Sequence, residues 1–95
     1  MLYVISVLKR YKKDGKELQR PERSWYYISN NSVSGKVEFA VSKDKKEFDS
    51  LNDTVNFFND NSCEIIEYLN TGEFDLSTLA IREIIYSCVR SISIP

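Results

Sequence analysis

The stretch Ser77-Thr-Leu-Ala-Ile-Arg-Glu-Ile-Ile-Tyr-Ser-Cys-Val-Arg-Ser-Ile92 decides how the C-terminal half of this 95-residue chain is read. Its apolar residues Ile81, Ile84, Ile85, Cys88 and Ile92 fall at i, i+3, i+4, i+7 and i+11, the spacing that covers one face of a helix, and Ser77 stands where an N-cap belongs. The opposite face carries Arg82, Glu83, Tyr86 and Arg90. The spacing predicts a C-terminal helix, in a chain whose helices follow its strands.

Two segments upstream extend the helical half. Ser50 with Asp53 three residues on resembles a capping pair, and Leu51, Val55 and Phe58 recur at i, i+4 and i+7. Cys63 to Leu69 reads two ways. As a helix capped by Ser62 and ended by Gly72 it buries Ile65, Ile66 and Leu69; as a strand it alternates about Ile66 and Tyr68. The helix is favoured.

The N-terminal half has strand character. Leu2 to Leu8 is a nearly unbroken apolar run that suits a strand covered on both faces or placed centrally in a sheet, and Lys9 and Arg10 end it too soon for a signal peptide or membrane span. Asp14-Gly15 tolerates positive φ and predicts a tight hairpin tip, which sets Lys12 opposite Glu17, Tyr11 opposite Leu18, Val4 opposite Trp25 and Tyr3 opposite Tyr26. Pro21 cannot donate to a ladder, so an interruption or bulge is expected there before Ser24-Trp-Tyr-Tyr-Ile-Ser29, the strongest strand signal in the chain. Asn30 to Gly35 turns the chain, and Lys36 to Val41 alternates as a half-exposed strand with Val37, Phe39 and Val41 on one face. The expected fold is a single α+β domain over residues 1–95. Its N-terminal half is a three-stranded antiparallel β-meander, packed by two to three helices in the order β-β-β-α-α-α.

Composition supports an ordered, cytoplasmic protein: hydrophobic residues are 42% and charged residues 28% of the chain. A domain of this size hides only about 60 to 65% of the surface its unfolded chain exposes, so self-association as a homodimer would help it. Cys63 and Cys88 lack metal or redox spacing and read as two reduced core thiols. Codon-biased residues such as Ile, Lys and Asn outnumber Ala, Gly and Pro, which suggests a low-GC bacterial or phage genome. The net charge of −1 conceals an asymmetry: residues 1–46 hold eleven Lys or Arg against five Asp or Glu, a balance of +6, and residues 47–95 hold two against nine, a balance of −7. A basic sheet region and an acidic helical region are therefore expected, with the alternative that the halves fold together and partly cancel.

The available chemistry is narrow. With no histidine, the commonest general base, the Ser-His and Cys-His pairs and most transition-metal sites are removed. Three glycines, at 15, 35 and 72, cannot build a phosphate cradle. The carboxylate pairs Glu64 with Glu67 and Glu73 with Asp75 read as helix-start charges and solvated faces rather than acid-base machinery. No catalytic residue, metal site or cofactor is expected.

Two binding readings remain. The first is a non-enzymatic protein-binding module, an inhibitor, immunity or regulatory accessory protein, using Trp25, Tyr27 and the Arg82, Tyr86 and Arg90 face, or an open sheet edge. The second is nucleic-acid binding through Arg10, Lys12, Lys13, Lys16, Arg20 and Arg23, with Trp25, Tyr26 and Tyr27 as stacking platforms. The acidic crowd Asp49, Asp53, Asp60, Glu64, Glu67, Glu73 and Asp75 reads first as a solvated helical surface, and second as a face for a basic groove on another protein.

Overall fold

Residues Val4 to Leu8 are buried on both faces of their strand, and Val4, Ile5, Ser6 and Val7 have no exposed surface at all. A backbone so placed must find its hydrogen-bond partners on both sides, because water cannot reach it. That requirement organises the molecule. A computed structural model describes residues 1–9, 12–13, 16–17, 24–71, 73–85 and 88–92, with 12–13, 16–17, 24 and 88–91 described by backbone only. The strands are β1 (Leu2–Lys9), β2 (Lys12–Lys13), β3 (Lys16–Glu17), β4 (Ser24–Ile28), β5 (Phe39–Ala40), β6 (Phe74–Ile85) and β7 (Cys88–Ser91). Between β5 and β6 lie a 3-10 turn at Ser42–Asp44 and the helices α1 (Leu51–Asp60) and α2 (Ser62–Leu69).

The main sheet has the order β5-β4-β1-β6-β7, antiparallel throughout, and β2 and β3 form a separate two-stranded ladder. On one side β1 pairs with β4 over Ser6 to Lys9, and nearer its start Tyr3 exchanges backbone hydrogen bonds with Phe48 at 2.9 and 2.8 Å. On the other side it pairs with β6 along most of its length.

The α+β class holds, and the meander β1-β4-β5 is present, but the third helix is absent. Residues 77–92 instead supply most of β6 and all of β7. In this setting Leu79, Ile81, Glu83 and Ile85 alternate with Ala80, Arg82 and Ile84, a period of two that the same residues also satisfy. Thr78, Ile81, Ile84, Ile85, Val89 and Ile92 are β-branched, which stiffens χ1 and favours the pleated surface. The open flank of β1 decides between the two periods. The acidic half is accordingly helical only in part.

The hairpin register also differs from the expected one. Lys12 does face Glu17, and Lys13 faces Lys16, but β1 meets β4 with Leu8 opposite Trp25 and Val7 opposite Tyr26. Six residues separate Glu17 from Ser24 where two separate Lys9 from Lys12, and this surplus of four shifts the register. The Asp14-Gly15 tip, the Tyr11–Leu18 pair and the bulge at Pro21 lie outside the described residues. The expected strand at 36–41 contracts to Phe39–Ala40, preceded by a turn in which Gly35 takes φ 86° and Ser32 exchanges side-chain hydrogen bonds with the backbone of Glu38.

The helices form as spaced. The Ser50 hydroxyl accepts from the Asp53 backbone N–H at 3.0 Å, capping α1. Helix α2 starts after Asn61 rather than at a Ser62 cap; it buries Ile65 and Leu69 but leaves Ile66 46% exposed. It ends at Leu69 with Asn70 at the C-cap, two residues short of the stop expected at Gly72, which itself lies outside the described residues. Buried Asn61 joins three elements: its side-chain oxygen accepts from the Gly35 N–H at 2.8 Å and its amide donates to the Phe57 carbonyl at 2.9 Å. Ile65 and Leu69 pack with Ile5, Val7, Ile28, Phe39 and Ile81, with Val55, Phe57 and Phe58 of α1 against the same cluster. Cys63 is exposed rather than a core thiol. No described helix is long and apolar enough to cross a membrane.

Candidate functional site

Both helices cover the sheet face that carries Ile5, Val7, Ile28 and Ile81. The alternate residues Val4, Ser6 and Leu8 therefore point to the other face, and cross-strand pairing places Tyr27, Trp25, Ala80 and Arg82 beside them. The row Tyr27, Ser6, Ala80 has small side chains at its centre, which leaves a shallow trough across β1.

Arg82 fills that trough. One guanidinium nitrogen donates to the Ser6 carbonyl at 3.0 Å and the Ser6 hydroxyl at 2.8 Å, and the second donates to the Thr78 carbonyl at 2.8 Å. The guanidinium carbon stands 4.4 Å from the Trp25 ring centre, so the cation also stacks on the indole. Burial draws the Arg82 pKa below its ordinary value, and the neighbouring Tyr27 opposes part of that shift. An arginine nevertheless keeps its charge. The hydrogen bonds compensate for what desolvation costs.

The strand geometry explains why Thr78 is available. The pairing of β1 with β6 slips between Ser6 and Leu8, so that residues 76–79 stand where β1 has only Val7. The ladder bond lost there is replaced by side chains. The Leu8 N–H donates to the Thr78 hydroxyl at 2.8 Å, which in turn donates to the Asp75 carbonyl at 2.6 Å. The Asp75 carboxylate accepts from the backbone and hydroxyl of Ser77 at 3.2 and 2.6 Å, which holds the bulge in shape.

Of the residues expected at a protein interface, Trp25, Tyr27 and Arg82 come together on this face. Trp25 is 42% exposed, whereas Tyr27 is almost fully buried and serves as a wall. Arg82 and Arg90 do not share a helix face: Arg90 pairs with Glu83, at a register position of the opposite sheet face. Tyr86 lies outside the described residues. Of the expected nucleic-acid set, Lys12, Lys13 and Lys16 fall on the β2–β3 ladder, and Arg10, Arg20 and Arg23 lie outside the described residues. Tyr26 is turned to the helical side, where Lys9 stands over its ring at 5.0 Å, and so does not share a platform with Trp25.

Sequence reasoning missed Ser6 and Thr78. Ser6 had a signal, as the one polar side chain inside the apolar run from Leu2 to Leu8 apart from the Tyr3 hydroxyl. Among the described residues no buried side-chain polar atom lacks a hydrogen-bond partner, and no group of three or more Cys, Asp or Glu is placed to hold a metal ion. Comparison with family models, curated proteins and solved structures finds no match to this chain.

Proposed function

We propose that this chain is a non-enzymatic protein-binding module, of the inhibitor, immunity or regulatory accessory kind, and that it engages its partner through Trp25 and Arg82 on the sheet face opposite helices α1 and α2. The observation that carries this reading is the preorganised pair itself. Trp25 is exposed, while Arg82 is fixed beneath it by three hydrogen bonds and a stacking contact. Tryptophan and arginine are the residue types that most often dominate interface energies, and a pair already held in place loses little further entropy on association. Nucleic-acid binding is less well supported, because base stacking needs a bare ring and one face of Trp25 is occupied by Arg82.

The test is affinity capture from a lysate of the source organism with the wild-type chain and Trp25→Ala side by side, with and without nuclease. A defined protein retained by wild type, lost by Trp25→Ala and insensitive to nuclease is the expected result. Capture that survives the substitution would sink the assignment of this face, and capture lost on nuclease treatment would establish the nucleic-acid reading.

A further inference from the structure

The Arg82 guanidinium keeps a full positive charge, yet every group that accepts from it is uncharged: the Ser6 carbonyl, the Ser6 hydroxyl and the Thr78 carbonyl. A charge drawn out of water is ordinarily matched by one of opposite sign, and hydrogen bonds to neutral acceptors satisfy the donors without neutralising the cation. Among the described residues no carboxylate pairs with Arg82; burial and the neighbouring Tyr27 are what act on its charge. The Asp75 carboxylate, at the position opposite Leu8, bonds Ser77 instead.

The donors are also incompletely used. An arginine has five N–H groups. Nη1 makes two of the three bonds, Nη2 with its two hydrogens makes one, and Nε makes none. No buried side-chain polar atom among the described residues lacks a partner, so Nε is open to solvent. The Nε hydrogen lies side by side with a hydrogen of Nη2, along an edge that matches the two oxygens of a carboxylate. Beside this edge stands the Trp25 ring, 42% exposed and 4.4 Å from the guanidinium carbon at its centre.

We propose that the partner protein supplies the missing counter-ion: an Asp or Glu side chain that accepts hydrogen bonds from the Nε edge of Arg82, in a segment that packs on the exposed part of Trp25. The inference rests on the reading of this face as a protein interface and adds the chemistry that the partner must bring. One guanidinium suits one negative charge. A phosphoryl group carries more, and Arg82 is the one cation among the residues that strand pairing places on this face. Docking that excludes water from Nε strengthens the pair, which then fixes register as well as affinity.

The probe is a library of random twelve-residue peptides, displayed on phage and selected on the wild-type chain with Trp25→Ala as the counter-selection. Selected peptides are then synthesised with amidated C-termini, so that side chains carry the only carboxylates. Peptides that need Trp25 are expected to share an Asp or Glu whose replacement by Asn or Gln weakens binding at least about tenfold. In the wild-type chain the Arg82 Nε–H signal, read by nitrogen-15 NMR and assigned through its loss in Arg82→Lys, should move with the acidic peptide and stay in place with its amide counterpart. Peptides that need Trp25 but tolerate loss of every carboxylate, or an Nε–H signal indifferent to the acidic peptide, would overturn the counter-ion while leaving the face standing. Inorganic phosphate that moves the signal at lower concentration than acetate would overturn it too, because the edge would then take a phosphoryl group. A selection that yields no peptide dependent on Trp25 would remove the face itself and the counter-ion with it.

Discussion

Arg82 is the residue on which two parts of the molecule depend, since its side chain bonds Ser6 and Thr78 and stacks on Trp25. A lysine offers a point charge where the site uses a planar fork. Arg82→Lys should therefore cost about 1–3 kcal/mol in urea unfolding, and because Trp25 is the one tryptophan its emission should shift in the folded variant. An unchanged spectrum would mean that the stack does not hold Trp25. Asn61 makes a similar case away from the face. Asn61→Ala leaves the Gly35 N–H and the Phe57 carbonyl without their side-chain partner, and a loss of about 2 kcal/mol or more is expected by the same measurement. At this scale the sequence was informative about residue type and silent about partners. It marked Trp25, Tyr27 and Arg82, but nothing local ties Arg82 to Ser6, which is 76 positions away.

Among the elements, β6 is the one whose character depends on its neighbour. Its residues satisfy a helical and a strand period together, so periodicity alone could not choose between them, and propensity is a weak prior that tertiary context overrides. What opposes the helix stands at the other end of the chain. A run as apolar as Leu2 to Leu8 suits a central strand, whereas a three-stranded meander leaves it at an edge. Where β6 bulges, Thr78 replaces the missing ladder bond to Leu8. Thr78→Val keeps the side-chain shape and removes that acceptor; it should destabilise the fold by about 1–3 kcal/mol and speed hydrogen exchange at the Leu8 amide more than at Ile5. Equal acceleration at both amides would indicate global unfolding rather than opening at the bulge. Helix α1 was easier to read, because its cap and apolar spacing are encoded within a few residues, whereas Cys63 to Leu69 also satisfied a strand reading and its expected cap at Ser62 gave way to Asn61.

The whole molecule has one helix-covered sheet face and one face centred on Arg82, and a core small enough for single residues to matter. Ile65 is fully buried between α2 and the sheet, and Ile65→Ala should cost about 2–5 kcal/mol, a large share of the roughly 5–10 kcal/mol typical of such a domain. A fall in thermal midpoint below about 5 °C would contradict that packing role. The same reasoning separates what was determined at each level. The sequence by itself determined the α+β class, the helix capped at Ser50, the Lys12–Glu17 pairing and the residue types Trp25 and Arg82, and it favoured a helix over Cys63 to Leu69, because caps, turns and short-range periodicity act over a few positions. Only the tertiary structure decided that residues 74–91 are strands, that β1 is central and that Arg82 lies beneath Trp25. These outcomes depend on which buried backbone still lacks a hydrogen-bond partner, and that is settled between β1 and β6, whose paired residues stand 65 to 82 positions apart.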